Sequence, residues 1–322
     1  MADDIARLLR AAKSGTARRR DPLSSRALAE LVAYERQERA PGNRRARARA
    51  GWRPLQIGSA VALAMAMVTV VVLAVLEETP AAALTPPMLR AEAVSASASE
   101  LLQEMALMNR EQPRSGNAIR SQTWALNTEI APDGSITSSS TEPQWNEIIF
   151  HKDGSVRQRL VAADPFPGQS PKALAAPGTV IADEIIAAGD YQAPYSDVPA
   201  EPASVGEYLA RFAGEDNLTA GASIIEISSI LSSTLLSEAQ ESACLAYLAT
   251  LAGISAMGTV TDRLGRTGVA FRADDRVPGE VEDILIISPE SGRILAIETI
   301  YIGSGRDDIA SPSVVNYTAW ER

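Results

Sequence analysis

The run from Leu55 to Leu76, LQIGSAVALAMAMVTVVVLAVL, constrains this chain more than any other feature. It holds no charged residue, no proline and a single side-chain amide, Gln56, near its start. As an α-helix it would extend about 33 Å, enough to cross a hydrocarbon core of about 30 Å. A helix is the only single segment that satisfies its own backbone polar groups in lipid. The flanks are lopsided: Arg44, Arg45, Arg47, Arg49 and Arg53 precede the run, and Glu77 and Glu78 follow it. Arginine-rich flanks stay cytoplasmic, so the reading is a single-pass anchor with its N-terminus inside and everything beyond Leu76 outside. A cleaved signal peptide ending near Ala81-Ala82-Ala83 is the rival. The segment before the run is far longer than an ordinary n-region, which favours an uncleaved anchor.

Charge follows the same division. Residues 1–54 carry 14 Lys/Arg against 6 Asp/Glu, and the remainder carries 16 against 34. The tail suits an anionic inner leaflet or an acidic partner. The acidic outer part argues against non-specific contact with nucleic acid. One cysteine, Cys244, leaves no intrachain disulfide, so the outer part must rely on its own core. The domain boundaries read as a cytoplasmic basic tail (1–54), a transmembrane helix (55–76), a Pro- and Ala-rich stalk (77–90) and an extracytoplasmic domain (91–322).

In the tail, Leu8 and Leu9 edge one short helix, and Leu28, Leu31 and Val32 fall at helical spacing in a second. Neither buries enough apolar surface to stand alone in water. They read as a docking segment for a cytoplasmic partner, or as a solvated tail that fixes topology. Beyond the stalk a helix is predicted from about Leu89 to Asn109. Strand-like runs follow at Ile119–Ile130 and Trp145–Val161, the latter broken by the turn Lys152-Asp153-Gly154-Ser155. Residues 163–203, with seven prolines, read as a long loop that covers one opening of a sheet. Three helices are predicted from Ser204, Ala222 and Ser237. Short strands then alternate with turns to the end: 257–261, 267–272, 283–287, 293–302 and 314–320. Helices set among hairpins without a βαβ rhythm give an α+β domain on a curved antiparallel sheet.

Catalytic constellations are missing from the sequence. No G-x-S-x-G elbow, Walker loop, G-x-G-x-x-G or H-E-x-x-H occurs. His151 is the sole histidine, which excludes a histidine-based metal cluster. The carboxylate pairs Asp274-Asp275, Glu280/Glu282 and Asp307-Asp308 read as solvated loop charges. Neither an enzymatic activity, a metal nor a cofactor is expected.

The stretches VPAEPASVGEYLARF (198–212), IIEISSILSSTLLSEAQESACLAYLATLAGI (224–254), GTVTDRLGRTGVAF (258–271), LIISPESGRILAIE (285–298) and VVNYTAWER (314–322) resemble a family of actinobacterial single-pass membrane proteins. Members of that family are often encoded beside extracytoplasmic-function sigma factors. The resemblance implies a signalling or regulatory role: an outer sensing domain, and a tail that holds a sigma factor or similar regulator through Leu8, Leu9, Leu28, Leu31 and Val32. This tail departs from zinc anti-sigma domains, having neither histidine nor cysteine. More distantly, the outer part resembles lipoprotein-carrier and periplasmic anti-sigma-partner domains. That architecture implies an alternative, an anchored module for a lipid or other apolar ligand, in a cavity lined by Trp124, Ile149 and Phe271.

Overall fold

The computed structural model describes residues 83–111, 116–130, 136–170 and 174–322. The tail and the apolar run therefore lie outside the described residues, and so do Leu8, Leu9, Leu28, Leu31 and Val32. Among the described residues no helix is long and apolar enough to cross a membrane.

Helix α1 spans Ala98–Arg110. Its start is fixed by a capping box in which Ser97 accepts from the Glu100 amide and Glu100 accepts from the Ser97 amide. The expected helix began nine residues earlier. Residues 83–93 are instead extended and bound to the domain: the Ala83 amide donates to the Asp308 carbonyl (2.7 Å), and Glu92 exchanges two backbone bonds with Thr259 (both 2.8 Å). The end of the presumed stalk thus belongs to the domain's own hydrogen bonding.

Four strands follow: β1 (Ala118–Ile130), β2 (Ile136–Phe150), β3 (Val156–Ala162) and β4 (Val180–Ile186). The chain then forms α2 (Pro202–Ala213), α3 (Ala220–Leu231) and α4 (Glu238–Leu248). Gly214, in the left-handed region at φ 72°, ends α2. Thr219 and Ser237 cap α3 and α4 through their side chains. Asp275 accepts from the Ala220 and Gly221 amides, so its carboxylate neutralises the positive end of α3. It is a cap rather than a solvated loop charge.

The chain closes with β5 (Ser255–Thr261), β6 (Thr267–Ala273), β7 (Val281–Ile287), β8 (Ile294–Tyr301) and β9 (Ser313–Trp320). All pairings are antiparallel, in one nine-stranded sheet of order β4-β3-β2-β1-β9-β8-β7-β6-β5. The last strand joins the two halves by pairing with both β1 and β8. The α+β class expected from the sequence is observed.

Both faces are covered over the middle of the sheet and its C-terminal strands, while β4 is exposed. On the first, α1–α4 bury Leu102, Leu209, Ile224, Ile227, Leu245 and Leu248 against Phe271, Leu285, Ile297 and Trp320. Polar ties fix these helices to each other and to the sheet. The buried Asn109 amide donates to the Gly292 carbonyl (2.8 Å), Ser242 donates to the Ala106 carbonyl (2.7 Å), and the Ile294 amide donates to the buried Glu241 carboxylate (2.8 Å). The second face carries Trp124, Ala270, Ile284, Ile286, Ala296, Val314 and Tyr317, with Phe166 and Leu89 over them. Coverage on both sides explains why every residue of β8 is buried.

Candidate functional site

The second face is where chemistry gathers. Period-2 alternation places Gln122 and Trp124 of β1, Thr141 and Pro143 of β2, and Tyr317 and Ala319 of β9 on one side, with Trp124 opposite both Pro143 and Tyr317. The Trp124 and Tyr317 rings lie 5.0 Å apart at 40°. Phe166, from the loop after β3, lies 5.4 Å from Trp124 at 46° and is 2% exposed. The loop is held by its own turn. Gln169 accepts from the Phe166 amide with its side chain, returns a backbone bond to the Phe166 carbonyl, and donates its side-chain amide to the Thr141 carbonyl.

Two ion pairs border this aromatic ground. Arg263 donates from Nε and Nη2 to the two oxygens of Glu298 (2.8 and 3.0 Å), and Glu298 is fully buried. The same guanidinium lies 5.8 Å from the Trp124 ring and 5.9 Å from the Tyr317 ring. Burial pushes the Glu298 carboxyl above its ordinary range, against the opposite pull of Arg263. Burial likewise raises the Tyr317 phenol, with Asp262 and Glu298 adding to the shift. Beside it, Asp262 accepts from the Leu264 and Arg266 amides with one oxygen and from the Arg266 guanidinium with the other. The turn Asp262-Arg263-Leu264-Gly265-Arg266 is therefore a hairpin closure that also supplies both arginines.

Of the residues expected to line a ligand cavity, Trp124 lies at the centre of this patch. Ile149 shares its face but sits six positions further along β2, about 20 Å away, opposite Ala118 and Arg157. Phe271 is on the other face, fully buried beneath the helices. The sheet does not bring these three together. Tyr317, Phe166, Arg263 and Glu298 were not singled out from sequence. One signal was there: Glu298 interrupts the apolar run RILAIETI, and a carboxylate in such a strand requires a cation across the sheet. The same logic holds for Asp283, fully buried and paired with Arg276 (2.7 and 2.8 Å) and Thr299 (2.9 Å).

His151 is exposed in the β2–β3 turn and Cys244 is buried in α4. Among the described residues no group of three His, Cys, Asp or Glu could hold a metal ion. Surface clefts lie elsewhere on the domain. One of about 310 Å³ lies between the α3–α4 link and the ends of β1 and β9, with Arg120, Leu235, Trp320 and Arg322 in its wall. Another, about 530 Å³, lies between α2, the link that follows it and the end of α4, and includes Glu207, Arg211, Asp216 and Tyr247.

No protein-family model matches the chain, and no curated protein matches it. Solved structures similar to it include MucB in complex with MucA(peri), at 14% identity and a TM-score of 0.27, over 69% of this chain and 53% of that one. The Pseudomonas aeruginosa MucA/MucB complex gives 12% identity and 0.27, over 69% and 55%. An outer membrane lipoprotein-sorting protein domain from Vibrio parahaemolyticus gives 9% and 0.23, over 70% and 92%. The chain thus covers about half the length of the first two. At these TM-scores the likeness carries no inference about ligand or partner.

Proposed function

We propose that this chain is a membrane-anchored, non-enzymatic signalling or regulatory protein. Its outer domain senses a ligand or partner, and its tail holds a cytoplasmic regulator such as a sigma factor. One observation carries the reading. The segment that leads from the apolar run into the domain is hydrogen-bonded to it at Ala83 and Glu92, and Leu89 packs on the second-face core. A rearrangement of that face would therefore pull directly on the chain leading to the anchor. The non-enzymatic part rests on the residues themselves: the one histidine is exposed in a turn, and the one cysteine is buried among aliphatic side chains.

The test uses the full chain, tagged and extracted from membranes of its natural host, with retained proteins identified by mass spectrometry. Retention of an RNA polymerase sigma factor by the wild type, lost in a Leu28→Asp, Leu31→Asp variant, is the expected outcome. A wild-type chain that retains no transcriptional regulator overturns it. The alternative, an anchored module for a lipid or other apolar ligand, draws on the aromatic ground beneath Phe166. Its lining would be Trp124 with Tyr317, since Phe271 faces the helices.

A further inference from the structure

The second face combines two properties that packing alone does not explain. Gln122 Oε1, Trp124 Nε1, Thr141 Oγ1 and Tyr317 Oη are buried and have no hydrogen-bond partner among the described residues. The four residues are between 0% and 8% exposed. They are four of the five neutral side-chain atoms in that condition, and alternation puts all four on the face that Phe166 roofs. Buried polar groups are ordinarily paired, so a cluster of unmet ones marks a place built for a polar guest. Phe166, an apolar ring, answers none of them. It reaches the site from a loop bounded by Pro165, Pro167 and Gly168, and it is tied down mainly through Gln169.

The chemistry of the guest follows from the groups that await it. Gln122 Oε1 only accepts, Trp124 Nε1 only donates, and the Thr141 and Tyr317 hydroxyls do either. Hydroxyl groups, which both donate and accept, match that mixture. The walls are aromatic rings, against which the C–H face of a sugar stacks, and a pyranose has about the footprint of the phenyl ring it would displace. The nearby charges are already engaged as Arg263–Glu298 and Arg266–Asp262, so the site offers no unbalanced charge to a charged ligand. We propose that the second face is a binding site for a neutral carbohydrate, its ring on Trp124 and Tyr317 in the place Phe166 occupies here. Its hydroxyls pair with Gln122, Trp124, Thr141 and Tyr317. As the signal sensed by the outer domain this rests on the regulatory reading above; as a binding site it does not.

The experiment is saturation-transfer NMR and tryptophan-fluorescence titration of the full chain in detergent, with N-acetylchitotriose and maltotriose as neutral probes and benzamide as an aromatic control. Binding of at least one saccharide is expected. Phe166→Ala should tighten it by removing the competing closed state, and Tyr317→Phe, which deletes only a hydroxyl, should weaken it about tenfold with an unchanged melting temperature. No saccharide binding by either the wild type or Phe166→Ala overturns the proposal. So does binding that Tyr317→Phe and Gln122→Ala leave unchanged, or binding of benzamide alone. Retention of a sigma factor is read on the same wild-type preparation. Loss of one result without the other separates a wrong ligand from a wrong regulatory role.

Discussion

At Glu298 a carboxylate without solvent exposure depends on the Arg263 fork for its neutralisation. Arg263→Met would leave that charge buried and unpaired, and should lower stability by about 3–5 kcal/mol in urea denaturation. Arg263→Met with Glu298→Leu should recover most of the loss, because two apolar groups replace the pair. Asp308 behaves differently. Its carboxylate accepts from Arg306 (Nε, 2.8 Å) and Ser139 (2.5 Å), and these bonds hold its pKa below the ordinary 3.8. A carboxylate lowered in the folded state stabilises above its unfolded pKa and loses that contribution as pH falls through the folded value. The stability gap between the wild type and Asp308→Asn should therefore be constant from pH 5 to 7 and close below about pH 3.8. Urea midpoints across that range would check it.

Among the elements, the two sheet edges are treated differently. Edge β5 is met by residues 83–93 through the Glu92–Thr259 bridge, and the approach is possible because Gly258 has φ +128° and no side chain. A Cβ there would run into the Glu92 carbonyl. Gly258→Ala should loosen the segment, seen as faster amide exchange at Glu92 and Thr259 and as new proteolytic cuts between residues 83 and 93. Edge β4 has no such cover among the described residues and shows Val180, Ile181 and Ile185 to solvent, the last 69% exposed. Exposed apolar edges favour association, so Ile185→Lys should raise solubility while leaving the melting temperature within about a degree. In α4, Ser237→Ala removes a capping box and should lower stability by about 1 kcal/mol.

For the whole molecule, β9 decides whether there is one sheet or two. It pairs with β1 over Ser121–Ala125 and with β8 over Ala296–Tyr301, so the first four strands and the hairpins of the C-terminal half share one ladder. It also supplies Tyr317 to the second face and Trp320 to the first. Ending the chain before Ser313 would open both β1 and β8, and should abolish a single cooperative thermal transition in calorimetry. The candidate site has the same dependence: Trp124 and Tyr317 are 193 positions apart in the chain, and only the β1–β9 pairing makes them neighbours.

Sequence alone determined the class and most of the parts. Capping at Ser237, the stop at Gly214, the turns at 152–155 and 262–266 and the strands after residue 255 were all legible, because each depends on a few adjacent residues. The start of α1 and strand β4 were not. Residues 83–93 are held extended by contacts with Asp308 and Thr259, far along the chain, and β4 is a short edge strand set in a proline-rich stretch. Trp124 was named from sequence as lining a cavity with Ile149 and Phe271, but its actual neighbours and its face were not legible. Which side of a sheet a residue occupies depends on register, and register is settled by burying two faces at once. Tertiary structure therefore decided what sequence could not: Phe271 goes to the helices, Trp124 meets Tyr317 under Phe166, and Glu298 finds Arg263.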